Sequence, residues 1–375
     1  MRIPFIKLPS SQSSLAREYQ RQIAKVLSSS RFILGEQVSR FEAEFAAFSG
    51  ARYSVSVANG TEALQVALRL SGIAPGQGQE VITTPWTASF TAHAIVAAGG
   101  RPVFADVDPH TLLLDPAAVR RALSPRAAAI VPVHIYGQCC DLTAFGLLAK
   151  QSGCALVQDA AQAHGSAFQG RSLAEFSDWA TYSFYPTKNL GAFGDGGALV
   201  TNRRASAERA RQFRDGGRKH THIAHSEGIN SRLDELQAAI LRIHLRRLKH
   251  WNRRRQELAA RYDRLLADRA GGWVRTLPPA RDSRPCHHLY VLRTRRRDAL
   301  RAYLRQRGIE TMVHYEKALH LHPAFRGLGY GRGDFPQAER AAREVCSLPL
   351  HPFLSDKDVD YITAEIARFF ARNDT

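Results

Sequence analysis

The 375-residue chain is predicted to adopt an α/β fold, with a mostly parallel central sheet in a large domain and a smaller C-terminal α/β domain. Short apolar segments alternate with amphipathic segments of helical periodicity, a pattern typical of strands covered by helices on both faces. The length and the 44% hydrophobic content allow a large core and favour two parts. We place the large domain, with an N-terminal arm, at residues 1–245, and a linker helix with the small domain at 246–375.

The predicted elements follow one another in a regular order. Two amphipathic helices come first, at residues 14–28 and 38–48. Seven short apolar strands follow, at 53–58, 80–84, 101–106, 128–134, 155–159, 180–184 and 198–201, with helices between them at 61–70, 87–98, 116–123 and 142–152. A long helix with a break, at about 233–268, leads to the small domain, where we predict a strand at 289–292, a helix at 297–307 and a last helix after Ser355.

The chain carries a formal net charge of +18. Its basic residues cluster at 203–214, 245–255 and 293–297, in segments that have helical spacing or border helices. Solvated helix faces explain such clusters, although a basic surface also attracts nucleic acid or a diphosphate substrate. Because the sequence contains no readable DNA-recognition motif, we expect no nucleic-acid partner.

Cysteine usage and hydropathy indicate the compartment. Five scattered cysteines form neither a disulfide framework nor paired CxxC motifs, and we expect Cys139 and Cys140 to be half-buried. No apolar run reaches membrane-spanning length, and the N-terminus lacks the apolar core of a signal peptide. We therefore expect a cytoplasmic enzyme in a reducing compartment, without a membrane partner.

Two groups of histidines have spacings that metal ligands use, but neither contains the HExxH arrangement of a zinc hydrolase. We therefore expect no metal site. The groups are His220, His222 and His225, and His314, His320 and His322.

The segment SFYPTKNLGAFGDGG, residues 183–197, contains one of only eight lysines among 52 basic residues. An arginine could supply positive charge here, but only a lysine can become a nucleophilic amine and form an imine with a carbonyl. Lys188 is therefore a candidate catalytic residue, and a surface lysine in a glycine loop is the alternative. Ser183 can donate its hydroxyl to a phosphate, and the glycines allow the chain to turn close to a ligand.

Two further segments supply complementary groups. In ANGTEALQVAL, Gly60 and Thr61 lie where a helix begins, and free N–H groups at such an end bind anions; a threonine N-cap is the alternative. In VQDAAQAHG, Asp159 follows a buried strand and needs a cation or a proton donor as a partner; the alternative is that it caps the following helix. Gln162 lies one turn after Asp159. A phosphate anchor, an acid for a ring nitrogen and an imine-forming lysine are together what pyridoxal phosphate (PLP) requires.

With these motifs, the sequence is identified as a member of the DegT/StrS family of sugar-nucleotide aminotransferases. The resemblance implies the aspartate-aminotransferase type of fold, also called PLP fold type I. It runs over almost the whole chain, from FILGEQVSRFEAEFAAFSGA at 32–51 to SLPLHPFLS at 347–355. Between these lie VFADVD, VPVHIYGQ, QDAAQAHGS, SFYPTKNLGAFGDGGALVT and GINSRLDELQAAIL.

The resemblance implies a role for each matched residue. Lys188 matches the lysine that binds PLP covalently and then shuttles a proton. Asp159 matches the partner of the ring nitrogen, and Gln162 matches the residue beside the ring hydroxyl. The phosphate ligands are matched by Gly60, Thr61, Ser183 and, from the neighbouring subunit, Asn230. The last match implies a homodimer with a shared active site.

The resemblance is weaker on the substrate side. At the position of Ala88 in this chain, family members often have an aromatic residue that stacks on the cofactor ring. Trp86 or Phe90 is the expected substitute, and the alternative is that both are aromatic residues of the core. His314 and Tyr315 are expected to line the substrate cleft, or else to pack at the domain interface.

The implied reaction moves an amino group from L-glutamate to a keto group of a nucleotide-linked sugar. The first candidate is C3 of a dTDP-3-keto-6-deoxyhexose, followed by a UDP-linked 3-keto sugar and then a 4-keto sugar. A non-catalytic PLP-binding regulator is a further alternative.

Overall fold

The computed structural model describes residues 2–219, 222–270 and 272–372. Within these ranges the strands are β1 Tyr53–Val57, β2 Glu80–Thr83, β3 Arg101–Phe104, β4 Ala127–Ile130, β5 Ala155–Asp159, β6 Ala167–Phe168, β7 Arg171–Ser172, β8 Trp179–Ser183, β9 Gly197–Thr201, β10 Arg275–Thr276, β11 Ser283–Arg284, β12 Tyr290–Arg293 and β13 Val345–Leu348. The helices are α1 Ser13–Ser29, α2 Glu36–Ser49, α3 Gly60–Leu70, α4 Ser89–Ala97, α5 Pro116–Ala122, α6 Leu142–Ser152, α7 Arg204–Phe213, α8 Glu235–Ala270, α9 Arg297–Gln306, α10 Pro336–Glu344 and α11 Asp356–Ala371.

The central sheet has seven strands in the order β1-β9-β8-β5-β4-β2-β3. The five strands from β8 to β3 pair in parallel, whereas β9 runs antiparallel to both of its neighbours. This arrangement confirms the predicted fold class. Because the parallel strands share one direction, their carboxyl ends meet at one edge, which is where ligands gather in such sheets.

Helices cover both faces of the sheet. In β9, Ala198 and Val200 face one hydrophobic cluster that includes residues of α2 and α8. Leu199, between them, faces the opposite cluster, which includes residues of α3, α4 and α7. Alternate side chains of a strand point to opposite faces, so a continuous apolar run is buried on both sides.

Helix α8 runs without a break from Glu235 to Ala270, so the predicted break is wrong. Its first half packs in the hydrophobic cluster that contains residues of β8 and β9, and its second half packs in a separate cluster that contains residues of β12 and β13. At its start, the Glu235 carboxylate accepts hydrogen bonds from the N–H groups of Gly35, Gln37 and Val38, each at 2.8 Å. These contacts satisfy free N–H groups at the start of α2. The predicted domain boundary at 245/246 falls inside α8.

Other predictions need smaller corrections. The strand predicted at 128–134 ends at Ile130, and the helix predicted at 87–98 begins at Ser89. Cys139 and Cys140 are fully buried rather than half-buried. Among the described residues, no helix is both long enough and apolar enough to cross a membrane.

Candidate active site

Lys188 and Asp159 lie at the carboxyl-end edge of the sheet. Asp159 is the last residue of β5 and pairs with Thr181 of β8, while Lys188 follows β8 by five residues. Burial lowers the pKa of Lys188 to about 8, although Asp159 opposes this shift. Burial also raises the pKa of Asp159, against the opposing effects of Thr91, Ala161 and Lys188. A lysine with this lowered pKa is uncharged in a larger fraction near neutral pH than an ordinary lysine, and the uncharged amine is the form that an imine-forming nucleophile requires.

The Asp159 carboxylate is held in place by two donors. Thr91 of α4 donates from Oγ1 to Oδ2 at 2.8 Å, and the Ala161 N–H donates to Oδ1 at 3.1 Å. No helix follows Asp159 in residues 160–166, so the helix-cap alternative is wrong. Thr91 was not predicted as a site residue. It follows Thr87 by four residues, and no local pattern indicates that its hydroxyl reaches β5.

The N-terminus of α3 lies against Ser183 at the end of β8. A Cβ atom on Gly60 would lie 2.6 Å from the Ser183 Cβ, closer than real Cβ atoms approach. The N-cap is Asn59, whose side chain accepts from the Glu62 N–H at 2.9 Å, so the alternative of a Thr61 N-cap is wrong. Glycine at position 60 therefore lets the positive helix end approach the serine hydroxyl, an arrangement that suits a phosphate.

Gln162 is hydrogen-bonded to both Tyr136 and Tyr315. Its Oε1 accepts from the Tyr136 N–H at 2.7 Å, and its Nε2 donates to the Tyr315 hydroxyl at 3.1 Å. Tyr315 is therefore brought next to the cofactor-side residues, as is the neighbouring His314. Tyr136 was not predicted as a site residue, because nothing local shows that its backbone faces Gln162.

His314 is partly buried and held by several contacts. Its Nδ1 lies 2.9 Å from the Ser347 Oγ, its carbonyl accepts from the Tyr136 hydroxyl, and its ring stacks on Phe5. Burial and then the nearby Lys188 lower the pKa of His314 to about 4, so its ring is neutral at physiological pH. A neutral ring can bind a polar ligand without repelling the lysine.

The two aromatic candidates have different environments. Trp86 is fully buried, donates from Nε1 to the Tyr136 hydroxyl at 2.9 Å and lies edge-on to Tyr315. Phe90 lies on α4 with 64% of its surface exposed. Trp86 thus belongs to the core beside the site, whereas Phe90 does not belong to the core.

Asn230 is exposed, next to a segment that lies outside the main core. It forms an isolated antiparallel bridge with Asp215. The candidate metal ligand His220 lies outside the described residues. In the part of the chain that the structure describes, no three His, Cys, Asp or Glu side chains are grouped as a metal ion would require.

The chemistry of this donor set fits PLP. Asp159 offers a carboxylate for a protonated ring nitrogen, and Lys188 offers an amine for the aldehyde carbon. The start of α3 and Ser183 offer N–H and O–H donors for a phosphate. These groups come from three separate segments of the chain and converge at one edge of the sheet.

Comparisons with known proteins agree with this assignment. Residues 13–367 match the model of the DegT/DnrJ/EryC1/StrS aminotransferase family. The chain is 44% identical over 371 residues to a "Pleiotropic regulatory protein" of Geobacillus stearothermophilus, covering 99% of each chain. It is 45% identical over 355 residues to the dTDP-3-amino-3,4,6-trideoxy-alpha-D-glucose transaminase of Streptomyces venezuelae, covering 94% of this chain and 92% of that protein.

A solved structure is similar over the same extent. The structure of DesV from S. venezuelae, in complex with a ketimine intermediate, superposes with a TM-score of 0.94. It is 42% identical in sequence and covers 98% of both chains. The chain therefore belongs to the DegT/DnrJ/EryC1/StrS aminotransferase family, and it is a PLP-dependent aminotransferase.

Proposed function

We propose that the enzyme transfers an amino group from L-glutamate to C3 of a dTDP-linked 3-keto-6-deoxyhexose. The observation that carries this proposal is the convergence of Lys188, Asp159 and Ser183 at one edge of the sheet. The similarity to a dTDP-3-amino-sugar transaminase over almost the whole chain supports the choice of sugar and carbon. A UDP-linked 3-keto sugar is the second candidate substrate, and a 4-keto sugar is the third.

The chain's own residues divide the work of this reaction. When bound, PLP supplies an electron sink that stabilises the negative charge formed as a proton leaves the amino carbon. Lys188 binds the cofactor covalently and, once released, moves a proton as general base and then as general acid. Asp159, held by Thr91, keeps the ring nitrogen protonated, and Gln162 donates to the ring hydroxyl.

The remaining predicted residues hold the phosphate and the sugar. We place the phosphate at Gly60, Thr61 and Ser183, where the helix N-terminus and the serine hydroxyl meet. His314 and Tyr315 then line the sugar side of the cleft. The candidates for covering the cofactor ring are Trp86, which is fully buried and lies at a steep angle to the Tyr315 ring, and Phe90, which is exposed on α4.

The active unit proposed here is a cytoplasmic homodimer. Asn230 is exposed on its own subunit, as a residue that reaches the phosphate of a neighbouring subunit must be. Within each subunit we divide the chain at 245/246, so that residues 246–270 of α8 form the linker helix that is grouped with the smaller domain.

The test is an absorption spectrum of the purified protein with PLP, recorded before and after L-glutamate is added. A band of the lysine-bound cofactor should form, bleach with glutamate and return when the dTDP-linked keto sugar is added. The Lys188→Ala variant should show neither the band nor turnover, whereas Lys150→Ala on α6 should behave as the wild type. Full activity of Lys188→Ala would refute the proposal, and a parallel assay with UDP-linked sugars ranks the substrates.

A regulatory function is the second candidate, because one similar protein is named a pleiotropic regulatory protein. The net charge of +18 is compatible with retention on DNA. Salt-sensitive retention on DNA without turnover of glutamate would favour the regulator, and turnover of glutamate would favour the enzyme.

A further inference from the structure

Three residues form a hydrogen-bonded chain with a single direction. The Tyr136 N–H donates to the Gln162 Oε1, and the Gln162 Nε2 donates to the Tyr315 hydroxyl. In the first link, the backbone N–H can only donate and the amide oxygen can only accept. In the second link, the amide NH₂ group can only donate. The direction of the chain is therefore determined by its first member, a backbone N–H group.

Tyr136 is held rigidly at the start of this chain. Its backbone has φ 60° and ψ 7°, a left-handed conformation that costs a non-glycine residue about 1–2 kcal/mol. Its carbonyl accepts from the His288 N–H at 2.9 Å, and its hydroxyl accepts from the Trp86 Nε1 and donates to the His314 carbonyl. These contacts hold the conformation that points the Tyr136 N–H at Gln162.

The orientation of the Gln162 amide follows from this contact. Because Oε1 accepts from a backbone N–H group, the NH₂ end must face the Tyr315 hydroxyl. A flipped amide would place two donors face to face at Tyr136. Gln162 is buried, so such an unmade hydrogen bond would be costly.

Tyr315 is consequently left with a proton to donate. Its oxygen accepts a hydrogen bond from the Gln162 Nε2, and a backbone hydrogen bond from Ala88 acts to lower its pKa. Among the described residues, none accepts a hydrogen bond from this hydroxyl. Burial raises the pKa of Tyr315 to about 12, so the hydroxyl keeps its proton at physiological pH.

We propose that Tyr315 is a further catalytic residue, whose hydroxyl donates a hydrogen bond to the keto oxygen of the bound sugar. This inference rests on the proposed function. Gln162 has a second Nε2 hydrogen that can be donated to the cofactor ring oxygen, so the sugar is the remaining ligand to which the Tyr315 hydroxyl can donate. Tyr315 also comes from a different segment of the chain, beside His314. The tyrosine keeps its proton and polarises the carbonyl, which makes the keto carbon more open to attack by an amine.

The experiment compares the two half-reactions of the holoenzyme in the Tyr315→Phe variant. Bleaching of the absorption band by glutamate should stay within about twofold of wild type, while recovery of the band with the keto sugar should slow about 10²-fold, as for loss of one oxyanion donor. The pH titration of the band without sugar should not change, whereas the Tm should fall moderately because the buried Gln162 Nε2 loses an acceptor. Tyr303→Phe, which removes a hydroxyl that donates to Glu365 on the small domain, is the matched control and should leave both half-reactions unchanged.

A second variant tests the direction of the chain. In Gln162→Glu the side chain can no longer donate, so the Tyr315 hydroxyl should turn to donate to the new carboxylate. The slowing of the sugar half-reaction in the double variant should then be smaller than the product of the two single effects. Fully multiplicative effects would overturn the proposed chain.

The remaining outcomes separate this inference from the proposed function. If Tyr315→Phe slows both half-reactions equally or shifts the titration of the band, the hydroxyl contacts the cofactor and the inference is wrong. If it slows neither, the inference is also wrong. A wild type that accepts glutamate but no nucleotide-linked keto sugar refutes the proposed function itself, and the inference with it.

Discussion

The Thr91 Oγ1 donates a hydrogen bond to the Asp159 Oδ2 over 2.8 Å and so connects the start of α4 to the end of β5. This donor opposes the effect of burial, which raises the pKa of Asp159. The hydroxyl therefore helps to keep the carboxylate charged, and a charged carboxylate is the form that can hold a protonated ring nitrogen.

The Thr91→Val variant should reduce kcat about 10-fold to 100-fold, the effect of losing a hydrogen bond to a charged group. Valine has nearly the same shape, but the buried Asp159 loses a donor and Thr87 loses a partner, so the Tm should also fall. The control is Thr363→Val on α11, whose hydroxyl bonds only to backbone carbonyls of its own helix and to Arg269. A Thr91→Val enzyme with wild-type kcat would show that Thr91 has no part in holding the charge.

Gly60→Ala should weaken both PLP binding and the fold. The new Cβ would lie 2.6 Å from the Ser183 Cβ, and such overpacking typically costs about 1–3 kcal/mol. A Cβ atom on Gly146 in α6 would instead meet no atom within 4 Å, so Gly146→Ala should stabilise the protein by about 0.5–1 kcal/mol. Thermal unfolding measures both changes, and a shift of the same sign in both variants would contradict the close approach at Gly60.

The rate at which the apoenzyme takes up PLP should rise with pH and level off above about pH 8. Only the uncharged amine of Lys188 can attack the cofactor aldehyde, and its pKa is lowered to about 8. Since Asp159 raises that pKa, the Asp159→Asn variant should shift the midpoint to lower pH. Stopped-flow absorption gives the profile; a rate that still climbs steeply well above the lowered pKa would indicate an ordinary lysine.

Mixing two inactive variants should restore activity if Asn230 completes the neighbouring subunit's site. Lys188→Ala lacks the amine, and Asn230→Asp places a negative charge near the phosphate. A mixed dimer has one site with both defects and one intact site, so a random mixture should regain about a quarter of the wild-type activity. Without recovery after subunit exchange, verified by mass spectrometry of the dimers, Asn230 would have to act within its own subunit.

Much of this molecule is predictable from local patterns. The helix predicted at 142–152 matches α6 at both ends, and the strand predicted at 155–159 matches β5, because periodicity and turn residues are properties of neighbouring residues. The site is partly predictable for the same reason, since Asp159 and Ser183 end strands and parallel strands end at one edge. Thr91 and Tyr136 are not predictable in this way, because their partners lie 68 and 26 positions away in the chain.

By itself, the sequence determined the α/β class, the order of the elements and the three segments that carry the amine, the carboxylate and the phosphate donors. The tertiary structure alone decided the antiparallel direction of β9, the unbroken course of α8 and the burial of Trp86 against the exposure of Phe90. It also decided the direction of the hydrogen bonds that connect Tyr136, Gln162 and Tyr315. These features depend on hydrogen bonds and packing between distant residues, which no local pattern records.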